Sequence, residues 1–254
     1  MKRSSTSRSH PPEPSRGCTL LAFGAHPDDI EFGCGAVVAL ETQRGASAHF
    51  VVCSRGESAT HGTPAIRTRE ARVGAAALGA TLEFIELGGD AHFERTVKHA
   101  LALAAVIRRL RPAIVLAPTV VENQHPDHAV LGALVRDAAR LARYGGVKEL
   151  RPPRGLPPHA IDQLHHYAIT HDAQPRDVTE ILVDVSSPQV VAAWTAAMRA
   201  HASQASTRDY VQLQLDRARL HGARCGASFA VPLFTADAIV VDSLTAIRRG
   251  ARHF

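Results

Sequence analysis

The stretch Thr19-Leu-Leu-Ala-Phe-Gly-Ala-His-Pro-Asp-Asp29 decides the fold. Its first half is a short, unbroken apolar run, the pattern of a strand covered on both faces in a parallel sheet. Its second half is polar and rich in ligating groups, as a loop at a strand's carboxyl end would be. Working outward, Gly33 to Arg44 reads as a helix, Ser47 to Cys53 as a strand and Ser54 to Pro64 as a polar loop. Ala65 to Leu78 has helical spacing and Gly79 stops it. Leu82 to Leu87 then reads as a strand, Thr96 to Leu110 as a helix, Ala113 to Ala117 as a strand and Pro126 to Tyr144 as a helix. Strands alternating with helices predict an α/β chain: a single-domain, doubly wound, Rossmann-like, mostly parallel sheet with helices on both faces.

Beyond Tyr144 the alternation loosens. Tyr144 to Pro158 is rich in Gly, Pro and Arg and reads as a loop, a place for a lid or an oligomer contact. Strands follow near Leu164 to Thr170 and Glu180 to Asp184, and helices over Pro188 to Ala205 and Thr207 to His221. The last apolar stretch is Ala236 to Val241. No internal repeat or second domain is visible, so residues 18–254 read as one domain behind a disordered basic tail, 1–17.

The chemistry concentrates in Ala25-His-Pro-Asp-Asp29 and in His125-Pro-Asp-His128. Both follow apolar strand patterns, and open α/β sheets bind ligands beyond the carboxyl ends of their strands. Two imidazoles and a carboxylate with one open position make a catalytic zinc site, in which bound water is acidified. His26, Asp29 and His128 are the candidate ligands; zinc suits them, and other divalent metals share the preference. Asp28 is left over where a general base should be. His125 is the candidate donor to a tetrahedral oxyanion, best as imidazolium. Asp127, in the first turn of its helix, can hold an imidazole in one tautomer and raise its pKa. Each segment alone also reads as a helix cap; two of them at strand ends of one sheet favour the metal.

Bulk properties exclude several other classes. Apolar residues make up 45% of the 254, ordinary for a soluble domain. No apolar run approaches the roughly 18 to 20 residues that span a bilayer, and the N-terminus lacks the apolar segment of a secretory signal. A cytoplasmic location and no membrane partner are therefore expected. The sequence pI is about 9.4. Of the net charge of +5, however, the tail to Gly17 carries +3 and the last residues, from Arg248, another +3, leaving the body at −1. No basic stripe remains for nucleic acid. Cys18, Cys34, Cys53 and Cys225 lack Cys-x-x-Cys spacing and read as reduced, mostly core residues. A dinucleotide site is disfavoured, since Gly33-Cys-Gly35 is only a fragment of the required fingerprint.

From about Thr19 to Phe234 the chain resembles the PIG-L/LmbE family of zinc-dependent N-acetylglucosamine de-N-acetylases. The matching motifs are Ala25-His-Pro-Asp-Asp-Ile-Glu-Phe-Gly-Cys-Gly35 and His125-Pro-Asp-His128. Arg55-Gly-Glu-Ser58, Gly62-Thr-Pro-Ala-Ile-Arg67, Glu70-Ala71, Leu78-Gly79 and Ser203-Gln204 also match. The resemblance implies the same zinc ligands, Asp28 as base, and His125 on the oxyanion with Asp127 supporting it. It further implies that Arg67 and Asp90 contact substrate, with Asn123 at another substrate-side position where the family often has Asp or Tyr. It implies a small sugar conjugate as substrate and a trimeric or hexameric assembly. Substrate-side signatures depart elsewhere: Ala36 ends the Gly-Cys-Gly run, and Ser228-Phe-Ala-Val231 lacks the family's acid. An N-deacetylase is thus expected. An amidohydrolase for a different acyl amide, or a sugar-binding protein without catalysis, are the alternatives.

Overall fold

The computed structural model describes residues 19–122, 125–150, 156–204, 208–247 and 249–251. Its centre is β1 (Leu20–Gly24), buried at every position. Leu20 and Ala22 face one apolar cluster, whereas Leu21 and Phe23 face another. That two-sided burial is why the strand reads as an unbroken apolar run rather than an alternating one.

Six more strands follow: β2 (Ala48–Val52), β3 (Ala80–Phe84), β4 (Ile114–Pro118), β5 (Gln163–Tyr167), β6 (Thr179–Asp184) and β7 (Ala230–Thr235). The sheet order is β3-β2-β1-β4-β5-β7-β6. The pairs β1–β2, β1–β4, β2–β3 and β4–β5 are parallel, and only β7 runs against its neighbours. On one face lie α1 (Asp29–Gln43), α2 (Pro64–Ala77), α5 (Pro188–Arg199) and α6 (Tyr210–Cys225), and on the other α3 (Val97–Leu110) and α4 (Pro126–Arg143). The expected single-domain, doubly wound α/β fold is therefore present. Chain order reverses between β1 and β4, so the crevice beyond those two strands is the switch point where such sheets bind ligands. Among the described residues no helix is long and apolar enough to cross a membrane.

Several boundaries move for physical reasons. Helix α1 starts at Asp29, not Gly33: Asp28 turns the chain with φ 115°, and acidic Asp29 and Glu31 then occupy the first turn, where the helix dipole favours them. Strand β3 begins directly after Gly79, two residues before the expected start, because Ala80 to Phe84 pair with Ala48 to Val52. Helix α5 ends at Arg199 rather than Ala205, and α6 runs from Tyr210 to a Gly226 cap rather than from Thr207 to His221.

The last strand precedes the apolar stretch Ala236 to Val241. It is Ala230–Thr235, with Pro232 inside it. Its pairing with β5 is confined to His166 opposite Phe234, which leaves Pro232 without a ladder bond to donate on that side. The 236–241 stretch lies outside the sheet, with Val240 91% exposed. The described flanks of the Tyr144 to Pro158 loop do not hang free. The buried Arg108 guanidinium donates to the carbonyls of Leu141, Ala142, Tyr144, Leu150 and Leu156.

Candidate metal centre

The loop after β1 folds back on itself through Asp29. Its Oδ2 accepts the backbone N–H groups of Ala25 at 2.8 Å and His26 at 2.9 Å. This leaves Oδ1 free to face His128 Nε2 at 3.1 Å. His128 arrives from the first turn of α4, which Pro126 opens and His125 caps. His26 Nδ1 lies 3.1 Å from His128 Nε2 and 3.6 Å from Asp29 Oδ2. All three residues are buried. Ligands about 2.0 to 2.2 Å from a tetrahedral zinc stand roughly 3.3 to 3.5 Å apart, close to these separations. Two imidazoles and a carboxylate are also a zinc-like donor set, so the residues present fit the ion.

The far side of His26 is equally committed. Its Nε2 faces Asp90 Oδ1 at 3.0 Å and Asp127 Oδ2 at 3.2 Å. Asp127 is fixed in turn by the N–H groups of Ala91 at 2.7 Å and Phe93 at 3.3 Å. Asp90 comes from the loop after β3, where Gly88 and Gly89 have φ 105° and 95°, angles that side chains other than glycine's rarely tolerate. Those turns carry the carboxylate back over the sheet edge onto His26.

Asp28 sits at the lip of the centre. Arg67, buried in α2, donates from Nη2 to Pro27 O at 2.7 Å and to Asp28 Oδ2 at 3.3 Å. A Cβ on Gly56 would lie 1.9 Å from Arg67 Nη1, so the guanidinium reaches the loop only because residue 56 has no side chain. Burial pushes the Asp28 carboxyl up to about 6; Asp29 adds to the rise, while Arg67, His201 and His26 oppose it.

Charge is unevenly shared among the rest. Burial works against a proton on His26, but Asp29, Asp127 and Asp90 outweigh it and hold its pKa well above the usual histidine value. Burial also works against the charge on Asp29, yet His128 and His26 bring its pKa well below the carboxylate norm. Hydrogen bonding to His26 lowers Asp90. Burial and the neighbouring charge of His26 lower His125, against the pull of Asp127 and Asp90.

Residues 21–139 match the family profile described as PIG-L, GlcNAc-PI de-N-acetylase. The chain carries a PIG-L domain. Among curated proteins it is 31% identical over 152 residues to 4-oxalmesaconate hydratase of Pseudomonas putida, across 55% of this chain and 58% of that protein. It is 28% identical over 198 residues to diacetylchitobiose deacetylase of Thermococcus kodakarensis, across 73% of this chain and 69% of that enzyme. A conserved Thermus thermophilus protein of known crystal structure superposes with a TM-score of 0.77 at 28% identity, covering 88% of this chain and 97% of that one. The match to the hydratase thus takes in little more than half of that protein's length.

Within the PIG-L domain, the structure brings His26, Asp29 and His128 into one cluster and puts Asp90, His125 and Asp127 against the other edge of His26. Two expected placements change. Asp127 is nearest His26, with His125 Nδ1 farther off at 3.8 Å, because the 91–93 backbone aims its carboxylate inward. His125 Nδ1 instead accepts the Asp127 N–H at 3.3 Å. It therefore carries its ring proton on Nε2 as a neutral donor rather than an imidazolium. Arg67 and Asp90, expected on substrate, are both buried and hydrogen-bonded within the protein. Asn123 lies outside the described residues.

Sequence reading gave Glu57, Ser58, Glu70 and Ser203 no individual role. Glu57 and Ser58 hold Asp90, with Oε2 accepting Asp90 N–H at 3.1 Å and the Ser58 N–H reaching Asp90 Oδ2 at 3.2 Å. Glu70 accepts from both the N–H and the hydroxyl of Ser203, and Gln204 donates to His61 O at 2.7 Å. The motifs Arg55-Gly-Glu-Ser58 and Ser203-Gln204 were the available signals.

Proposed function

We propose that this chain is a zinc-dependent amidohydrolase that removes the N-acetyl group from an N-acetylglucosamine-type sugar conjugate. The observation that carries the reading is Asp28. It is half-buried and held by Arg67, directly beside a buried pair of imidazoles and a carboxylate. A site built only to bind a sugar has no need of that base. The relation to diacetylchitobiose deacetylase supports a sugar amide as substrate.

His26, Asp29 and His128 would hold the zinc, which when bound acidifies water and polarises the amide carbonyl. Asp28, with a carboxyl near 6, is ionised at neutral pH and takes the proton of the attacking water. Arg67 keeps that carboxylate oriented through Oδ2. His125 donates its Nε2–H to the oxyanion of the tetrahedral intermediate as a neutral imidazole. When the C–N bond breaks, the proton held by Asp28 passes to the leaving nitrogen, giving the free amine and acetic acid. The acid gives its remaining proton to the amine or to water as it leaves as acetate, and Asp28 is returned to its carboxylate.

The identity to a hydratase favours a second reading, water addition to an unsaturated carboxylate by the same base. One assay separates the two. Zinc-loaded protein is offered a panel of N-acetylglucosamine conjugates and, separately, unsaturated dicarboxylic acids. Zinc-dependent acetate release supports the deacetylase. Loss of the conjugated C=C absorbance of an unsaturated acid, without acetate release from any conjugate, would replace it with the hydratase.

A further inference from the structure

We infer that Ser203, held by Glu70, is a positioning residue acting through Arg67, and that the connection after α5 thereby keeps the guanidinium on Asp28. The inference rests on Asp28 being the base and names what fixes the residue that orients it. Arg67 spends Nη2 on Pro27 O and Asp28 Oδ2, at 2.7 and 3.3 Å, whereas its buried Nε has no hydrogen-bond partner among the described residues. Bonds from one nitrogen leave a side chain with so many rotamers free to pivot. Its placement therefore depends on what packs along its stem.

Ser203 supplies that packing, at a residue without a side chain. A Cβ on Gly62 would lie 2.7 Å from Ser203 Oγ and 3.3 Å from Arg67 Cγ. Ser203 and the Arg67 stem thus share the space that a side chain at 62 would fill. The Ser203 hydroxyl is fixed from two directions. It donates to Glu70 Oε2 at 2.6 Å and accepts from Gln204 Nε2 at 3.0 Å, while the Ser203 N–H goes to Glu70 Oε1 at 2.9 Å. Two donors of one residue on one carboxylate make a strong, oriented pair. Gln204 Nε2 also reaches His61 O at 2.7 Å, next to Gly62.

Glu70 stands one turn beyond Arg67 on α2, on the same face. One helix therefore carries both the guanidinium and the carboxylate that sets its neighbour. Behind Ser203 the connection is anchored by His201, fully buried, which faces Glu31 of α1 at 3.3 Å. Gly74 leaves room for it, since a Cβ there would lie 3.0 Å from His201 Nε2. None of these bonds involves His26, Asp29 or His128, so the route from Ser203 to the chemistry runs through Arg67.

The test is a double-mutant cycle on the zinc-loaded enzyme with the best-cleaved N-acetylglucosamine conjugate. Ser203→Ala should lower kcat/KM by about 10-fold, the scale of a small misplacement near reacting groups. In an Arg67→Ala background the same change should cost less than about twofold, because the residue it positions is gone. Glu70→Ala should match Ser203→Ala. Glu70→Gln should recover to within about threefold of wild type, since an amide still accepts the N–H and can donate to the hydroxyl. These two variants keep the test open should Ser203→Ala fold poorly. Hydrogen exchange gives a readout apart from turnover: amides of residues 56–63 should exchange about 10-fold faster in Ser203→Ala, with those of β1 unchanged. Equal losses from Ser203→Ala with and without Arg67 would overturn the inference. So would a Glu70→Gln no better than Glu70→Ala, or unchanged exchange over 56–63. If wild type cleaves no conjugate, the proposed reaction falls, while exchange in this loop still decides whether Ser203 holds the surroundings of Arg67.

Discussion

His26 Nδ1 and His128 Nε2 face each other at 3.1 Å across 102 residues of chain. Two unprotonated imidazole nitrogens at that distance repel through their lone pairs, so the pair requires either a shared metal ion or a proton. Asp29, Asp127 and Asp90 hold it on His26, whose pKa stands well above the ordinary histidine value. A metal must take its place.

Zinc binding at pH 7 should therefore release about one proton per chain, and affinity should rise with pH up to the raised pKa of His26. Calorimetry in buffers of different ionisation enthalpy measures this directly. A binding enthalpy that does not change with buffer would show that His26 is already neutral, and would contradict the charge distribution described.

Arg67 should affect rate through Asp28. Its charge opposes the burial that raises that carboxyl, so removing it raises the Asp28 pKa further. The active form is the carboxylate, and the acidic limb of the kcat/KM profile should accordingly move to higher pH in Arg67→Ala. Activity at neutral pH should fall by about 10- to 100-fold, in line with losing a charge-assisted hydrogen bond of roughly 1.5 to 3 kcal/mol. Arg67→Lys keeps the charge and should keep the limb near its wild-type position while losing part of the rate. A profile that shifts to lower pH in Arg67→Ala would exclude this role.

Much of this was legible in the sequence, and the exceptions have identifiable causes. Strand β1 could be read because residues sealed on both faces leave no polar interruption. The metal set could be read because Asp29 and His128 each sit within a short ligand-rich segment at a strand end. The pairing of Asp127 with His26 rather than His125 could not, since it depends on backbone N–H groups at Ala91 and Phe93 that no spacing reveals. Asp90 was recognised as a site residue, but its target depends on two consecutive glycine turns. Strand β7 escaped because Pro232 argues against a strand unless one knows that its β5 pairing covers a single position.

Arg108 offers a test of the scaffold away from the chemistry. Its guanidinium satisfies carbonyls at the end of α4 and along the loop that follows. Arg108→Met fills similar volume but strands those acceptors, at a cost of about 3 kcal/mol or more. Chemical denaturation should show that loss, with proteolysis first appearing between Tyr144 and Pro158. A variant within about 0.5 kcal/mol of wild type would mean that water replaces the clamp.

The most direct test of the central claim is a paired measurement on Asp28→Asn: zinc content and amide hydrolysis on the best conjugate. The substitution removes the base and leaves His26, Asp29 and His128 in place. One zinc per chain should remain while kcat falls by about 100-fold or more. Near-wild-type turnover by the zinc-loaded variant would show that Asp28 takes no proton, and the hydrolytic account would have to be abandoned.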